Sequence, residues 1–304
     1  MNAKPGFLSI GMPAFNEEES IQRSLKWVLK QTLWKEMPPG KREIIVCANG
    51  CTDKTVERVR ELQASHPEIK LVELKEKSKA LAWNRIVKES NPSAPVIFFT
   101  DADVVMHRRA IERIWERFSK NPVLELVGGS PTPVNINESR NARVRARNRA
   151  IKEKISKSSH LSGALYGIKR ETAKGIRMPA DLLTEDLYLK LVVPAEHYAR
   201  EHRAIVFYKP AQTTRDIAFQ RRRIELGRKQ LRKMGLLPRK ENLARRARKL
   251  KGLPLKQKIA RVYFFGLGKL SALNPRNAFQ PSSRAWKKIE SSKIPKKQGR
   301  KRRA

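Results

Sequence analysis

The chain has 304 residues, with 67 lysines and arginines against 29 aspartates and glutamates, for a formal net charge of +38. Apolar side chains make up 39% and recur in short runs, which excludes disorder throughout; with no fixed period and two cysteines, a repeat array and a disulfide scaffold are excluded as well. The charge is uneven: residues 1–220 hold 38 basic and 26 acidic groups and residues 221–304 hold 29 and 3, so an ordinary globular domain is followed by a cationic appendage suited to a polyanionic partner.

Residues 7–12 are apolar, β-favouring and bounded by Gly6 and Pro13, which predicts a buried strand. Glu17, Glu18 and Glu19 follow in a first helical turn, where acids suit the helix dipole, and Ile21, Leu25, Val28, Leu29 and Leu33 recur at helical spacing. A second strand is expected at 44–47, ended by Asn49-Gly50. Thr52 or Asp53 can cap a helix carrying Val56, Val59 and Leu62. Strands at 69–74, 96–99 and 123–127 then alternate with helices at 78–90 and 110–118. Apolar strands alternating with helices call for an α/β fold, a doubly wound and mainly parallel sheet with helices on both faces. Ligands of such sheets bind beyond the carboxyl ends of strands. The polar clusters lie there: Phe15-Asn16-Glu17 after the first strand, Asn49-Gly50 after the second and Asp101-Ala102-Asp103 after the fourth. The first loop has no G-x-G-x-x-G and no G-K-[ST], which disfavours a dinucleotide-binding Rossmann domain and a P-loop NTPase.

From about residue 140 the pattern changes. A basic helix is expected at 140–158, a short strand at 165–168, a helix at 182–193 opened by Thr184-Glu185-Asp186, a strand at 205–208 and a basic helix at 217–234. The expected division is an α/β domain over 1–220, with halves at about 7–130 and 131–220, then basic and amphipathic helices over 221–275, then a basic, disordered tail over 276–304. In the segment 254–273, Ile259, Val262, Tyr263, Leu267 and Leu270 share one helical face; that face either packs on the domain or lies on an anionic membrane surface beside flanking cations. Cys47 and Cys51 are too few for a four-ligand zinc site and read as reduced thiols, which fits a reducing cytosol. The N-terminus lacks a signal-peptide apolar core and no apolar stretch approaches the roughly 20 residues of a membrane span. The expected location is cytoplasmic, peripheral to the inner face of the membrane.

Asp101-Ala102-Asp103 places two carboxylates one residue apart just past a buried strand. Such a pair can hold Mg2+ or Mn2+ with open positions for phosphate oxygens, where the cation offsets charge on a leaving diphosphate. The same pattern also occurs as a solvated turn. Glu185 and Asp186 can also be read, with less weight, as acids at a helix start. His66, His107, His160, His197 and His202 form no ligand-spaced pair.

Six elements in order resemble glycosyltransferase family 2, a GT-A-fold family. Pro13-Ala14-Phe15-Asn16-Glu17-Glu18 resembles its opening P-A-[YF]-N-E-E, and the run from Asn49 to Thr55 resembles its D-[DN]-G-S-T-D-x-T. Lys79-Ala80-Leu81-Ala82-Trp83-Asn84 is similar to its G-K-x-x-A-W-N, and Asp101-Ala102-Asp103 to its D-x-D. The run from Ser162 to Tyr166 is similar to its small-residue acceptor-side strand, and Thr184-Glu185-Asp186 to its T-E-D. The resemblance implies an inverting enzyme that uses a nucleotide-diphosphate sugar. Pro13, Ala14, Asn16 and Glu17 would border base and ribose; Asn49 and Asp53 would lie at the nucleotide, with Lys79 near base or diphosphate. Asp101 would contact the ribose and Asp103 the metal, Mg2+ or Mn2+. Asp186 would be the general base that deprotonates the acceptor hydroxyl. Gly163, Glu185, Gln220 and Arg223 would lie on the acceptor or diphosphate side. The acceptor would be lipid-linked or an envelope glycan.

The chain departs from the pattern at Asn49, where an acid is commoner, at Ser78, where glycine precedes the lysine, and at Ile224, where Gln220-Arg221-Arg222-Arg223-Ile224 lacks the tryptophan of the processive Q-x-x-R-W. Processive synthesis is therefore not expected, and that run also reads as a basic helix face. The competing reading is a protein that binds nucleic acid or another polyanion on an inactive scaffold. Residues 276–304 hold only Phe279 and Trp286 as stacking aromatics, and Asp101, Asp103 and Asp186 are intact, so nucleic acid is disfavoured as a partner.

Overall fold

The computed structural model describes residues 4–155 and 160–238, together with Pro254, Leu255, Ile259, Val262, Tyr263 and Gly266. The apolar runs form β1 (Leu8–Ala14), β2 (Arg42–Asn49), β3 (Ile69–Leu74) and β4 (Val96–Thr100), which pair in parallel in the spatial order β3-β2-β1-β4. Beyond β4 the sheet is mixed. β7 (Leu165–Lys169) runs antiparallel to β4 and to β6 (Leu126–Pro133). β8 (Tyr198–Tyr208) is parallel to β6, and the two-residue β5 (Val105–Met106) closes the far edge antiparallel to β8.

Helices cover both faces, because successive strand residues point to opposite sides. Leu8, Ile10, Met12, Ile44 and Val46 share one core with Ile21 and Leu25 of α1 (Ile21–Val28), Val59 of α3 (Thr55–Gln63) and Ile114 of α5 (Ala110–Lys120). Ile45, Cys47, Ile97 and Phe99 point the other way, against Trp83 and Ile86 of α4 (Lys79–Glu89), Leu189 of α8 (Glu185–Val192) and Leu231 of α9 (Thr214–Lys233). Burying this much apolar surface on two faces is what holds a sheet of this size. The remaining helices are α2 (Thr32–Glu36), α6 (Ala142–Ile155) and α7 (Arg170–Lys174).

Several boundaries differ from the sequence expectation. The helix expected through Leu33 breaks after α1, because buried Gln31 turns inward: its side chain donates to the carbonyls of Trp27 and His107 and accepts from the Ile111 amide. The strand expected at 123–127 begins only at Leu126 and runs on through Gly128-Gly129 to Pro133, while Val123 is exposed in a turn. β8 starts at Tyr198 rather than 205, α8 starts at Glu185 rather than 182, and α9 starts at Thr214 rather than 217 and ends at Lys233. Leu255, Ile259 and Val262 are exposed, and Tyr263 lies under the Arg143 guanidinium at 4.9 Å. The rest of the expected helix at 254–273, and the tail 276–304, lie outside the described residues. Among the described residues no helix is long and apolar enough to cross a membrane.

Candidate active site

The loops after β1 and β2 are laced together by side chains. Asn16 adopts a left-handed φ of 52°, which asparagine tolerates better than most residues. Its Oδ1 accepts from the Thr52 amide at 2.8 Å and its Nδ2 donates to Thr52 Oγ1 at 3.2 Å. The Glu17 amide donates to Thr55 Oγ1 at 2.7 Å, and the Glu18 amide to Asp53 Oδ2 at 3.2 Å. The Lys54 amide returns a bond to Glu18 Oε2 at 3.1 Å, and Asp53 Oδ1 accepts from the Thr55 amide at 3.0 Å. Asn16 and Asp53 thus tie the two loops, with Pro13 and Ala14 ending β1 beside them. Asn49 is buried at the end of β2, and Lys77 Nζ sits 5.6 Å over the Phe15 ring.

The centre of the site is Lys79. Ser78 caps α4 by accepting from the Leu81 amide, which sets Lys79 in the first turn. Its ammonium lies 2.7 Å from Asp101 Oδ1 and 2.7 Å from Glu185 Oε1, joining the end of β4 to the start of α8. Burial opposes the charge on Lys79, but Asp101 and Glu185 outweigh it and hold the ammonium above its usual range. Gly163 lets the backbone cross here: a Cβ on it would lie 3.2 Å from Lys79 Nζ. Thr100 Oγ1, donating to the Ala164 carbonyl at 3.0 Å, fixes that crossing against Asp101. Beneath it, Trp83, Phe99 and Tyr166 stack with centroids 5.5 and 5.2 Å apart, and Trp83 Nε1 donates to the Tyr166 hydroxyl at 3.0 Å.

Asp186 follows Glu185 in the first turn of α8, and its Oδ1 accepts from the Leu187 amide at 2.7 Å. Burial and the Glu185 charge push its carboxyl up from 3.8 to about 6, against the opposing pull of Lys79, the Leu187 N–H and Arg223. Arg223 therefore reaches Asp186 electrostatically from α9, with Gln220 half-buried three residues before it.

Asp103 is partly exposed at the strand end. Arg23 of α1 is within electrostatic reach of it: burial pulls the guanidinium down, while Asp103 and Glu17 push it up. Among the described residues no three His, Cys, Asp or Glu side chains gather to hold a metal. Asp103 alone would leave most positions of a hard cation to phosphate oxygens and water, which is how magnesium is usually bound.

The fold thus gathers Lys79, Asp101, Gly163, Glu185 and Asp186 at one place, with Arg223 alongside, and gathers Asn16, Glu17 and Asp53 at a second. Sequence reasoning gave no role to Arg23, Trp83, Asn84 or Gly227. Trp83 and Asn84 stood within a quoted motif; Arg23 and Gly227 carried no local signal.

A parallel sheet half ending in loops and paired carboxylates, joined to a mixed half that brings an acidic helix to face them, defines a GT-A-type transferase scaffold. Residues 9–174 match the model for glycosyl transferase family 2, more than half of the chain, and the chain belongs to that family. It is 32% identical over 125 residues, 41% of this chain and 39% of the relative, to the glycosyltransferase AglE of Haloferax volcanii. It is 30% identical over 189 residues to a poly-beta-1,6-N-acetyl-D-glucosamine synthase of Staphylococcus epidermidis, covering 59% of this chain and 44% of that protein. The chain therefore spans less than half the length of these curated relatives. Its fold is that of a mannosyltransferase from Pyrobaculum calidifontis, solved with GDP-Man and Mn2+, at 18% identity and a TM-score of 0.56 over 91% of this chain and 77% of the other.

Proposed function

We propose that the chain is an inverting glycosyltransferase that moves a sugar from a nucleotide-diphosphate donor to an acceptor hydroxyl, with Asp186 as general base. The observation that carries this is the sorting of two adjacent carboxylates. Glu185 is held in an ion pair with Lys79, and its charge helps raise Asp186 to about 6, close to the working range of a base. In this reading Asp186 takes the acceptor proton, the freed oxygen attacks the anomeric carbon, and the nucleoside diphosphate leaves from the opposite face. Configuration at that carbon inverts.

Pro13, Ala14, Asn16 and Glu17 border the base and ribose, Asn49 and Asp53 support the nucleotide, and Asp101 contacts the ribose. Lys79 lies near the base or diphosphate, and Gly163, Glu185, Gln220 and Arg223 lie on the acceptor or diphosphate side. Asp103 would hold Mg2+ or Mn2+, which offsets charge on the departing diphosphate. The GDP-Man and Mn2+ bound to the structural neighbour support this donor class. The poly-beta-1,6-N-acetyl-D-glucosamine synthase relative supports a glycan acceptor. Exposed Leu255, Ile259 and Val262, in a region of high positive charge, support placement on the cytoplasmic face of an anionic membrane.

The test is a panel of nucleotide sugars with manganese, scored for nucleoside diphosphate release and acceptor transfer. Asp186→Asn should keep donor binding and lose transfer by about 10²–10⁴-fold. Near-normal transfer by that variant would place the base elsewhere.

A further inference from the structure

The segment 178–184 leads into the helix that carries Asp186, and it is gripped from two directions. From α4, Asn84 pairs with the Met178 backbone, Nδ2 to the carbonyl at 2.9 Å and Oδ1 from the amide at 3.0 Å, and the Ser78 hydroxyl donates to the Ala180 carbonyl. From α9, Gln230 Oε1 accepts from the Leu183 amide at 3.2 Å, and its Nε2 donates to the Asp181 carbonyl at 2.7 Å and to Asp181 Oδ2 at 3.2 Å. Leu231 is fully buried beside Leu182 and Leu189.

Gly227 sets how close α9 comes. A Cβ on it would stand 2.6 Å from Thr184 Cγ2 and 2.7 Å from Thr184 Oγ1, so any other residue forces the buried Thr184 side chain to turn or one element to move off the other. The Thr184 hydroxyl is buried and makes no hydrogen bond among the described residues, so this contact is a steric fit. Glycine weakens a helix interior relative to alanine, and α9 carries that penalty at the point of contact. The charges acting on Asp186 come from the same elements: Glu185 on α8, Lys79 on α4 and Arg223, one turn before Gly227, on α9. Moving α9 would shift both the loop under the carboxylate and one of the cations facing it.

We infer that α9 is the positioning element of the acceptor half: the fit of Gly227 on Thr184 and the grip of Gln230 on residues 181–183 fix where Asp186 stands. This rests on the reading of Asp186 as base. Both residues lie beyond the 9–174 that match the family model. Neither is a catalytic residue; each acts through the loop.

The full chain is tested as Gly227→Ala, Gln230→Ala and the double variant Gly227→Ala/Thr184→Ala. The first readout needs no ligand: the 13C titration of aspartate carboxyls, with the Asp186 signal assigned by its loss in Asp186→Asn. Near-ultraviolet circular dichroism checks the fold. In both single variants the Asp186 midpoint should leave its value of about 6. Transfer from the donor that is active in the nucleotide-sugar panel should show kcat falling on the order of 10²-fold with donor KM unchanged. The double variant, which removes the two atoms a Cβ would strike, should recover part of both changes. Single variants that fold and keep the parent midpoint and kcat overturn the inference. A loss of kcat accompanied by an equal loss of donor binding also overturns it, because it marks general disruption. Normal transfer by Asp186→Asn sinks the base assignment instead, and the carboxyl midpoint in Gly227→Ala still decides the positioning by itself.

Discussion

Replacing Asp186 with asparagine should stabilise the folded protein at neutral pH, and the size of the gain follows from the site. In the unfolded chain this carboxyl titrates at its ordinary 3.8, and in the folded protein at about 6, raised first by burial and then by Glu185. Between those values the native state keeps a proton that the unfolded state has lost. Stability therefore falls as pH rises through this window, and above about 6 the loss is complete. The rise corresponds to about 3 kcal/mol. Asp186 keeps some contact with water, so the realised loss is on the order of 1–3 kcal/mol. An asparagine at this position would carry no charge, fill the same volume and still accept from the Leu187 amide, a 2.7 Å bond in the parent. Urea unfolding of parent and variant at about pH 8 and about pH 4.5, followed by tryptophan fluorescence, measures the difference. The variant should lead at the higher pH, and its lead should shrink as the solution is acidified. A variant less stable than the parent at the higher pH, or a lead that does not change with pH, refutes the burial argument.

Asp103→Ala should leave the fold intact, since a partly exposed loop carboxylate carries little packing, and should abolish manganese-dependent transfer. Unchanged turnover at limiting manganese would remove Asp103 from the metal site. The full chain should float with phosphatidylglycerol liposomes, less so at high salt, and lose binding when 254–304 is deleted, because each basic residue at an anionic surface contributes about 1 kcal/mol. An absence of binding by the full chain eliminates the membrane placement.

Much of the parallel half was legible because its signals are local. β1 to β4 are apolar runs with abrupt polar ends, so both the strands and the loops beyond them could be read. The other half hides its strands. Gly128-Gly129 looks like a stop, yet a Cβ at Gly129 would lie 3.1 Å from the carbonyl oxygens of Ala204 and Leu165, so these glycines are strand residues chosen for close neighbours. β8 carries Arg200-Glu201-His202-Arg203 after its first two residues, and their polarity masks a strand in which Glu201, Ala204 and Val206 are buried. The antiparallel insertion of β7 between β4 and β6 has no sequence signature at all. The same limit applied within the site. Lys79, Asp101 and Glu185 could each be singled out, but their meeting at 2.7 Å joins positions up to 106 apart in the chain and depends on that insertion.

The lacing of the loops after β1 and β2 has a consequence for how this surface tolerates change. The amides of Glu17, Glu18, Thr52, Lys54 and Thr55 all bond to side chains rather than to backbone. In an ordinary loop, a surface substitution removes only the side chain's own contacts. Here, replacing Asn16, Glu18, Asp53 or Thr55 also strands a backbone donor on the facing loop, and replacing Asp53 strands the Thr55 amide on its own loop as well. This rim should drift in sequence as slowly as a hydrophobic core, although much of it faces water, and inherited variation should collect on the outer faces of α3 and α5 instead.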